Sequence, residues 1–392
     1  MGKFPLYLGI ILAGFFVFQL YNGTITPLEV ANFAAKTTQV NVSTDNEKQV
    51  KESKNKEIKV PVEEKTPEKE IVNDFENNPL TIMAFGDMMM GRYVRILMDK
   101  NKDPNYAFKV NLKDDPSSGS KPFFGSADVV FANLEGPIKG AGVHSETSMV
   151  FGFNEDTAKL IKDKGINLVS IANNHALDQK KDGRASTIAA LDLNDVGWCG
   201  NSTSADVESI YYGKTDDWKY AFICLNDVIY KLNYEEAINL IKEINDKVDF
   251  LIVSIHWGNE YQHKALAKQK QYGRKFVDAG ADLIIGHHPH VVQGFESYKG
   301  KLILFSLGNF IFDQYWSKDT QEELGVKISL NKDKDGKIIT QAELFPMKSE
   351  RSQTRLMSQK EAIIWLEKFI GYSDYTKEEK QAIRNKKIEF SE

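Results

Sequence analysis

The stretch "INLVSIANNHALD", residues 166–178, changes character at one point. An apolar, β-branched run stops, and Asn173, Asn174 and His175 follow, with Asp178 just beyond. Runs of this kind pack well on a pleated sheet. The segment therefore reads as a buried strand that delivers amides and an imidazole at its carboxyl end. The same grammar recurs along the chain. "TIMAF" (81–85) leads to Gly86-Asp87, with Arg92 a turn later, and "DVVFA" (128–132) to Asn133-Leu134-Glu135. "FLIVSI" (250–255) leads to His256-Trp257-Gly258-Asn259-Glu260, and "DLII" (282–285) to Gly286-His287-His288-Pro289-His290. "LILFSL" (302–307) leads to Gly308-Asn309-Phe310. In an open α/β sheet, ligands bind in the crevice outside the carboxyl ends of the strands. Polar side chains collected at that one edge form a candidate site, although any single one of them is explicable as a turn residue or a cap.

Helical patterns separate several of the runs. "NEDTAKLIKDKG" (154–165) opens on Asn154, a residue able to cap a helix, and closes on Gly165. "DGRASTIAALDLNDVG" (182–197), "NYEEAINLIKEINDK" (233–247) and "ALAKQKQYGRKFVDAG" (265–280) behave alike. Strands alternating with helices of this length predict an α/β domain. The last strands, including "LGVKISL" (324–330), predict a more antiparallel portion. "NKDKDGKIITQA" (331–342) imitates a calcium loop, but Ala342 stands where the bidentate Glu is required, and the Asp-Gly pair reads better as a hairpin turn. We place the domain at 79–348, followed by an amphipathic helix at about 358–371 and a charged tail within 349–392.

The amino-terminal part has a different texture. "FPLYLGIILAGFFVFQLYNG" (4–23) is uncharged and near the ~20 residues that span a bilayer, so residues 1–22 read as a retained signal anchor. Bulky Phe18, Leu20 and Tyr21 stand where a cleavage site would want small residues. Lys3 places the bulk of the protein outside the cytoplasmic membrane. Residues 23–78 alternate Lys and Glu with almost no aromatics and read as a disordered linker. A net charge of -5 without a basic stripe argues against nucleic acid as a partner. Cys199 and Cys224 are too few for a disulfide framework; we expect buried thiols, with a single pairing outside the cell as the alternative.

Neutral imidazole, carboxylate and amide oxygen together suit Mn, Fe or Zn better than Ca or Cu. Two such ions can activate a water and clamp the oxygens of an in-line displacement at phosphorus. "GDMMMGR" (86–92), "FANLEGPI" (131–138), "SIANNHALD" (170–178), "SIHWGNEY" (254–261), "GHHPHVVQG" (286–294) and "FSLGNFIFDQ" (305–314) follow one another in that order. This series resembles the CapA-type bacterial proteins named for poly-γ-glutamate capsule biosynthesis, whose fold is similar to calcineurin-like metallophosphoesterases.

The resemblance implies an α/β metallophosphoesterase-like sandwich (α/β/β/α, with mixed sheets) holding one or two divalent ions. Asp87, Glu135, Asn174, His256, His287 and His290 would be the ligands, with Glu135 standing where phosphoesterases carry a bridging aspartate. His175 matches the catalytic histidine; Asp87 and Arg92 complete the expected catalytic set, Arg92 grounding an anionic substrate. Trp257, Glu260 and Asn309 are expected to line the pocket. His288 is left out, because Pro289 keeps its neighbour extended and adjacent side chains diverge. One departure stands out: the phosphoesterase Asp-x-His opening is here Asp87-Met88-Met89, which removes an imidazole. The implied function is metal-dependent hydrolysis of an anionic envelope polymer or its precursor at the membrane, in company with capsule-synthesis proteins. Noncatalytic binding of such a polymer is the alternative. Ligand type does not separate phosphoester from amide cleavage.

Overall fold

The run that ends at Asp87 forms β1 (Leu80–Met88), on which the larger of two sheets is assembled. β2 (Val129–Leu134), β3 (Leu168–Ser170) and β4 (Gly197–Cys199) extend it in parallel on one side. In this computed structural model, which describes residues 78–109, 127–140 and 148–390, a second sheet follows. It contains β5 (Ile210–Lys214), β6 (Lys219–Asn226), β7 (Phe250–His256), β8 (Leu283–His287), β9 (Phe295–Tyr298) and β10 (Lys301–Leu304). Its order is β5-β6-β7-β8-β10-β9, parallel from β6 to β10 with antiparallel edges. The chain then returns to the first sheet. β11 (Asn309–Ile311) pairs in parallel with β1, and β12 (Glu322–Lys332) lies antiparallel to it. β13 (Ile338–Glu350), β14 (Gln353–Leu356) and β15 (Lys387–Phe390) complete an antiparallel flank.

Side chains alternate across each strand, and here both faces of both sheets are apolar because both are covered. Ile82 and Ala84 of β1, with Phe131 of β2, point between the sheets to meet Phe222, Ile252 and Ile285 of the second sheet. The rings of Phe131 and Phe222 touch there, with centroids 5.0 Å apart. Met83 and Phe85 point the other way, toward α1 (Arg92–Asn101), α2 (Thr157–Asp163) and α3 (Lys180–Leu193) through Val94, Ile161 and Leu191. Ile223, Val253 and Ile284 likewise meet α4 (Tyr234–Asn245) and α5 (Ala267–Asp278) through Ile241 and Phe276. The result is a four-layer α/β/β/α sandwich. Each fully buried large apolar side chain in it contributes roughly 1.5–3 kcal/mol relative to exposure.

Three local expectations are answered here. The Asp-Gly segment is a turn between β12 and β13: Asp333 Oδ1 accepts the N–H groups of Asp335 and Lys337, each at 2.9 Å, so this carboxylate is spent on its own loop. Helix α2 starts only at Thr157, and Asn154 does not cap it by its side chain. The expectation of buried thiols is corrected: Cys199 and Cys224 form a disulfide, Cα atoms 5.4 Å apart, which ties β4 of one sheet to β6 of the other. The two cysteines sit opposite each other across the inter-sheet core, a proximity that their separation of 25 residues does not announce.

Residues beyond 350 continue the fold. α6 (Gln359–Ile370) starts with a capping box from Ser358 and Glu361 and sends Trp365, Leu366 and Phe369 into the inter-sheet core. α7 (Lys377–Arg384) adds Ile383, and β15 adds Ile388 and Phe390. The expected anchor and the linker up to residue 77 lie outside the described residues. Among the described residues no helix is long and apolar enough to cross a membrane.

Candidate metal centre

The carboxyl ends of β1, β2, β3, β7 and β8 open onto one crevice. Parallel pairing sets the register: Asp87 of β1 lies level with Asn133 of β2 and with Asn309 of β11, and His256 of β7 level with His287 of β8. Asp87 is fully buried. Its Oδ1 accepts from Asn133 Nδ2 at 2.8 Å, and its Oδ2 from the His288 backbone N–H at 3.1 Å. Around it, His287 Nδ1 lies 3.4 Å from Oδ1 and His290 Nδ1 3.4 Å from Oδ2, with His256 Nδ1 4.0 Å from Oδ1. Glu135 faces the same space, its Oε1 3.7 Å from His290 Nε2 and 3.9 Å from Nε2 of both His175 and His256.

The two buried carboxylates are shifted in opposite directions. Burial pushes the Asp87 carboxyl up, but the close approach of His287 and His290 and the charge of His256 outweigh it and hold it well below the usual range. Glu135 goes the other way: burial raises it well above the usual range, and Asp87 and Glu260 reinforce that against the opposing charge of His290. His290 is pushed up to about 9, since the Glu135 charge and the Asp87 contact outweigh its own burial. His288 is pushed down to about 3 by burial and by the charge of His290. Burial, with His288 beside it, also lowers His256.

Both oxygens of Glu135, both ring nitrogens of His287 and Nδ1 of His288 are buried without a hydrogen-bond partner. Unpaired buried polar groups are costly, and buried charges more so. A cation would satisfy them together. Asp87, Glu135 and His290 each offer a ligand atom within 4.8 Å of one another, and so do Glu260, His288 and His290. The donor set thus fits a divalent ion of the Mn, Fe or Zn type.

His175 sits at the edge of this cluster. Its Nδ1 lies 2.7 Å from Asp178 Oδ2, its ring stacks on Phe151 with centroids 3.9 Å apart, and its Nε2 faces Glu135. Asn174 Oδ1 lies 2.8 Å from His256 Nε2, so these two expected ligands face each other.

Of the residues expected at the substrate, Trp257 points elsewhere, and Asn309 and Arg92 have partners of their own. Trp257 is buried on the opposite side of β7, donating its indole N–H to the Phe305 carbonyl at 3.0 Å and packing in the α5 layer. Asn309 holds His290: its Oδ1 is 3.0 Å from Nδ1, while its amide nitrogen donates to the Thr320 carbonyl at 2.9 Å. Arg92, expected to ground a substrate, is paired through Nε and Nη2 with both oxygens of Asp313, and its guanidinium lies 5.0 Å from the centre of the Phe151 ring. Glu260 is exposed at the mouth.

Other residues carry the site without having been assigned a part in it. Asn173 donates to Asn133 Oδ1 at 3.1 Å and to the Leu134 carbonyl at 2.9 Å, while its own Oδ1 accepts the His175 N–H at 3.2 Å. Asn133 and Asn173 thereby lock the β2 and β3 ends together. Their presence in the strand-end pattern was the available signal. His288, set aside on the sequence, shares a ligand group with Glu260 and His290.

The family described as bacterial capsule synthesis protein PGA_cap matches residues 81–314, from β1 through the segment after β11. The chain belongs to this family. Within it, the capsule biosynthesis protein CapA of Bacillus anthracis is 30% identical over 271 residues, 64% of either chain. The PGA biosynthesis protein CapA of Bacillus subtilis strain 168 is 31% identical over 285 residues, 68% of this chain and 72% of that one. The chain thus spans less than two thirds of the B. anthracis relative's length. A crystal structure of a phosphatase from Mycoplasma pneumoniae aligns with a TM-score of 0.45 at 16% identity, covering 70% of this chain and 96% of the other. The matched span of the PGA_cap family holds every residue of the metal-centre cluster, from Asp87 to Asn309.

Proposed function

We propose that this capsule synthesis family member is a divalent-metal-dependent hydrolase of an anionic envelope polymer or its precursor. The observation that carries the reading is the buried, unpartnered set formed by Glu135 and His287 around Asp87, directly beneath a histidine already oriented by a carboxylate. Asp87, Glu135, Asn174, His256, His287 and His290 would hold the ion. A bound divalent ion would supply Lewis acidity toward a phosphoryl or carbonyl oxygen and lower the pKa of a coordinated water.

The chain's own groups supply the proton chemistry. Asp178 fixes the His175 ring through Nδ1, and Phe151 holds the ring plane. Protonated His175 would present Nε2–H to the leaving group as general acid, a role worth typically 10²–10⁴ in rate. Asn309 fixes the His290 ring through Nδ1 and keeps Nε2 for the site. Placement outside the cytoplasmic membrane, anchored by residues 1–22, belongs to the same proposal. The Cys199–Cys224 disulfide supports it, since such bonds persist in oxidising compartments.

The test is metal analysis of the full-length chain purified in detergent, followed by a screen of phosphoesters and γ-glutamyl oligomers with Mn, Fe and Zn varied. Less than about a tenth of an equivalent of each metal after replete loading would sink the proposal. A noncatalytic, polymer-binding role is the second reading. It is favoured by Met89, which stands in the place of an imidazole and turns its sulfur to the Gly91 N–H at 3.2 Å. Undiminished polymer assembly by His175→Ala would decide for it.

A further inference from the structure

We propose that Tyr261 and Trp316 form an aromatic platform at the mouth of the cleft, on which the sugar ring of a glycosyl phosphate, free or as a repeat of the polymer, is stacked. The proposal rests on the reading of the cleft as a hydrolytic centre and names its substrate class. Three of the chain's five tryptophans, Trp218, Trp257 and Trp365, are buried, whereas Trp316, on the loop after β11, is 60% exposed. Tyr261, 43% exposed, meets it edge to face with ring centroids 4.7 Å apart. Apolar side chains scattered singly over a surface need no explanation, but this pair adjoins the centre: the Tyr261 ring lies 6.1 Å from that of His290.

Both rings are held from behind. The Tyr261 N–H donates to the Pro289 carbonyl at 2.8 Å, keeping the residue at φ 63°, a left-handed conformation that bulky side chains seldom take. Its hydroxyl accepts from Gln314 Nε2 at 3.4 Å, and Gln314 Oε1 accepts from the Asn309 amide at 3.2 Å, so the residue that orients His290 also ties down the platform. On either side of Trp316, the Tyr315 and Ser317 carbonyls accept from Gln321 Nε2 at 3.4 and 2.7 Å. Rings presented on a fixed backbone leave little ordering to be done on binding. Their geometry selects the ligand. A planar base is best held between parallel rings, and these two stand at 86°. A pyranose needs one aromatic face for the C–H bonds of its flat side, and polar partners for the hydroxyls at its rim. Glu260, exposed and next to Tyr261 in the chain, supplies a carboxylate that accepts hydroxyl hydrogens and repels a further anionic group. The unit seated there is thus a neutral, hydroxylated ring rather than a γ-glutamyl residue with its free carboxylate.

Titration calorimetry on the full-length, manganese-loaded chain in detergent tests this with phosphonates, in which carbon replaces the bridging oxygen and turnover is blocked. The three probes are the analogues of glucose 1-phosphate, of glycerol 3-phosphate, which has no ring, and of AMP, which has a planar base. Wild type should bind the glucose analogue about tenfold more tightly than the glycerol analogue. Trp316→Ala should remove that difference by weakening the glucose analogue alone, and Trp316→Phe should restore part of it. Equal weakening of both analogues, no change in Trp316→Ala, or no binding of the glucose analogue by wild type overturns the platform. Tighter binding of the AMP analogue than of the glucose analogue overturns the sugar assignment. Rates on the three phosphates with the same preparation separate this proposal from the hydrolase reading. Ring-dependent binding without turnover overturns the hydrolase and leaves the platform standing; turnover without ring dependence does the reverse.

Discussion

His175 and Asp178 make the sharpest residue-scale case, since each has one contact that a substitution removes cleanly. In any assay that detects turnover, His175→Ala should lower kcat by about 10²–10⁴-fold. Asp178→Asn should lower it less, because the His175 ring loses the carboxylate that fixes it through Nδ1; an unchanged kcat would remove Asp178 from the mechanism. A second residue acts on stability. Glu323 on β12 is buried with neither carboxylate oxygen paired, and burial, only partly offset by Thr354, raises its pKa well above the usual value. The stabilising, protonated form is present in full below the unfolded-state pKa of about 4.3 and is lost as pH rises through the raised folded value. Glu323→Gln keeps the neutral shape at every pH. Urea unfolding should therefore show wild type losing about 1–3 kcal/mol more than the variant between about pH 5 and pH 8. Parallel curves would refute it. The misreading of Trp257 has a simple origin at this scale. Its neighbour His256 faces the crevice, and along an extended chain adjacent side chains point to opposite faces, so Trp257 goes to the helix layer.

Elements meet at the crevice by backbone contact, and glycine makes that possible. A Cβ on Gly86 would lie 2.0 Å from the Gly308 carbonyl oxygen, and one on Gly286 would lie 1.9 Å from that of Phe305. Neither backbone can yield without moving β1 or β8, which carry Asp87 and His287. Gly86→Ala and Gly286→Ala should each cost about 3 kcal/mol or more, seen as a drop in thermal midpoint; a midpoint within a degree of wild type would show that the strands can part. The long strands and helices were legible because their periodicity runs over many residues, as in β7 and α4. β4 and β11 were not read, being three residues each and held by neighbours distant in sequence, whereas β3, equally short, was legible from the apolar run around it. α7 was read as part of the charged tail because it is short and mostly charged, with Ile383 its one buried residue.

At the scale of the whole molecule, the disulfide joins the two sheets of the sandwich at Cys199 and Cys224. Closing a loop of this length restricts the unfolded chain by about 3 kcal/mol. The Cys199→Ala/Cys224→Ala double variant should lose roughly that amount in urea unfolding, and a loss under about 0.5 kcal/mol would show the link to be idle. The sequence by itself determined the α/β class, the hairpin at Asp333–Lys337 and the strand ends that bear polar residues, because each is written in local periodicity or turn chemistry. Only the tertiary structure decided which of those residues share the cleft, which way each points, and what each is already bonded to. Asn309, Arg92 and Trp257 look like cleft residues in the chain. They are engaged by Thr320, Asp313 and Phe305, partners brought to them by strand pairing and sheet packing, and such pairings leave no local mark in the sequence.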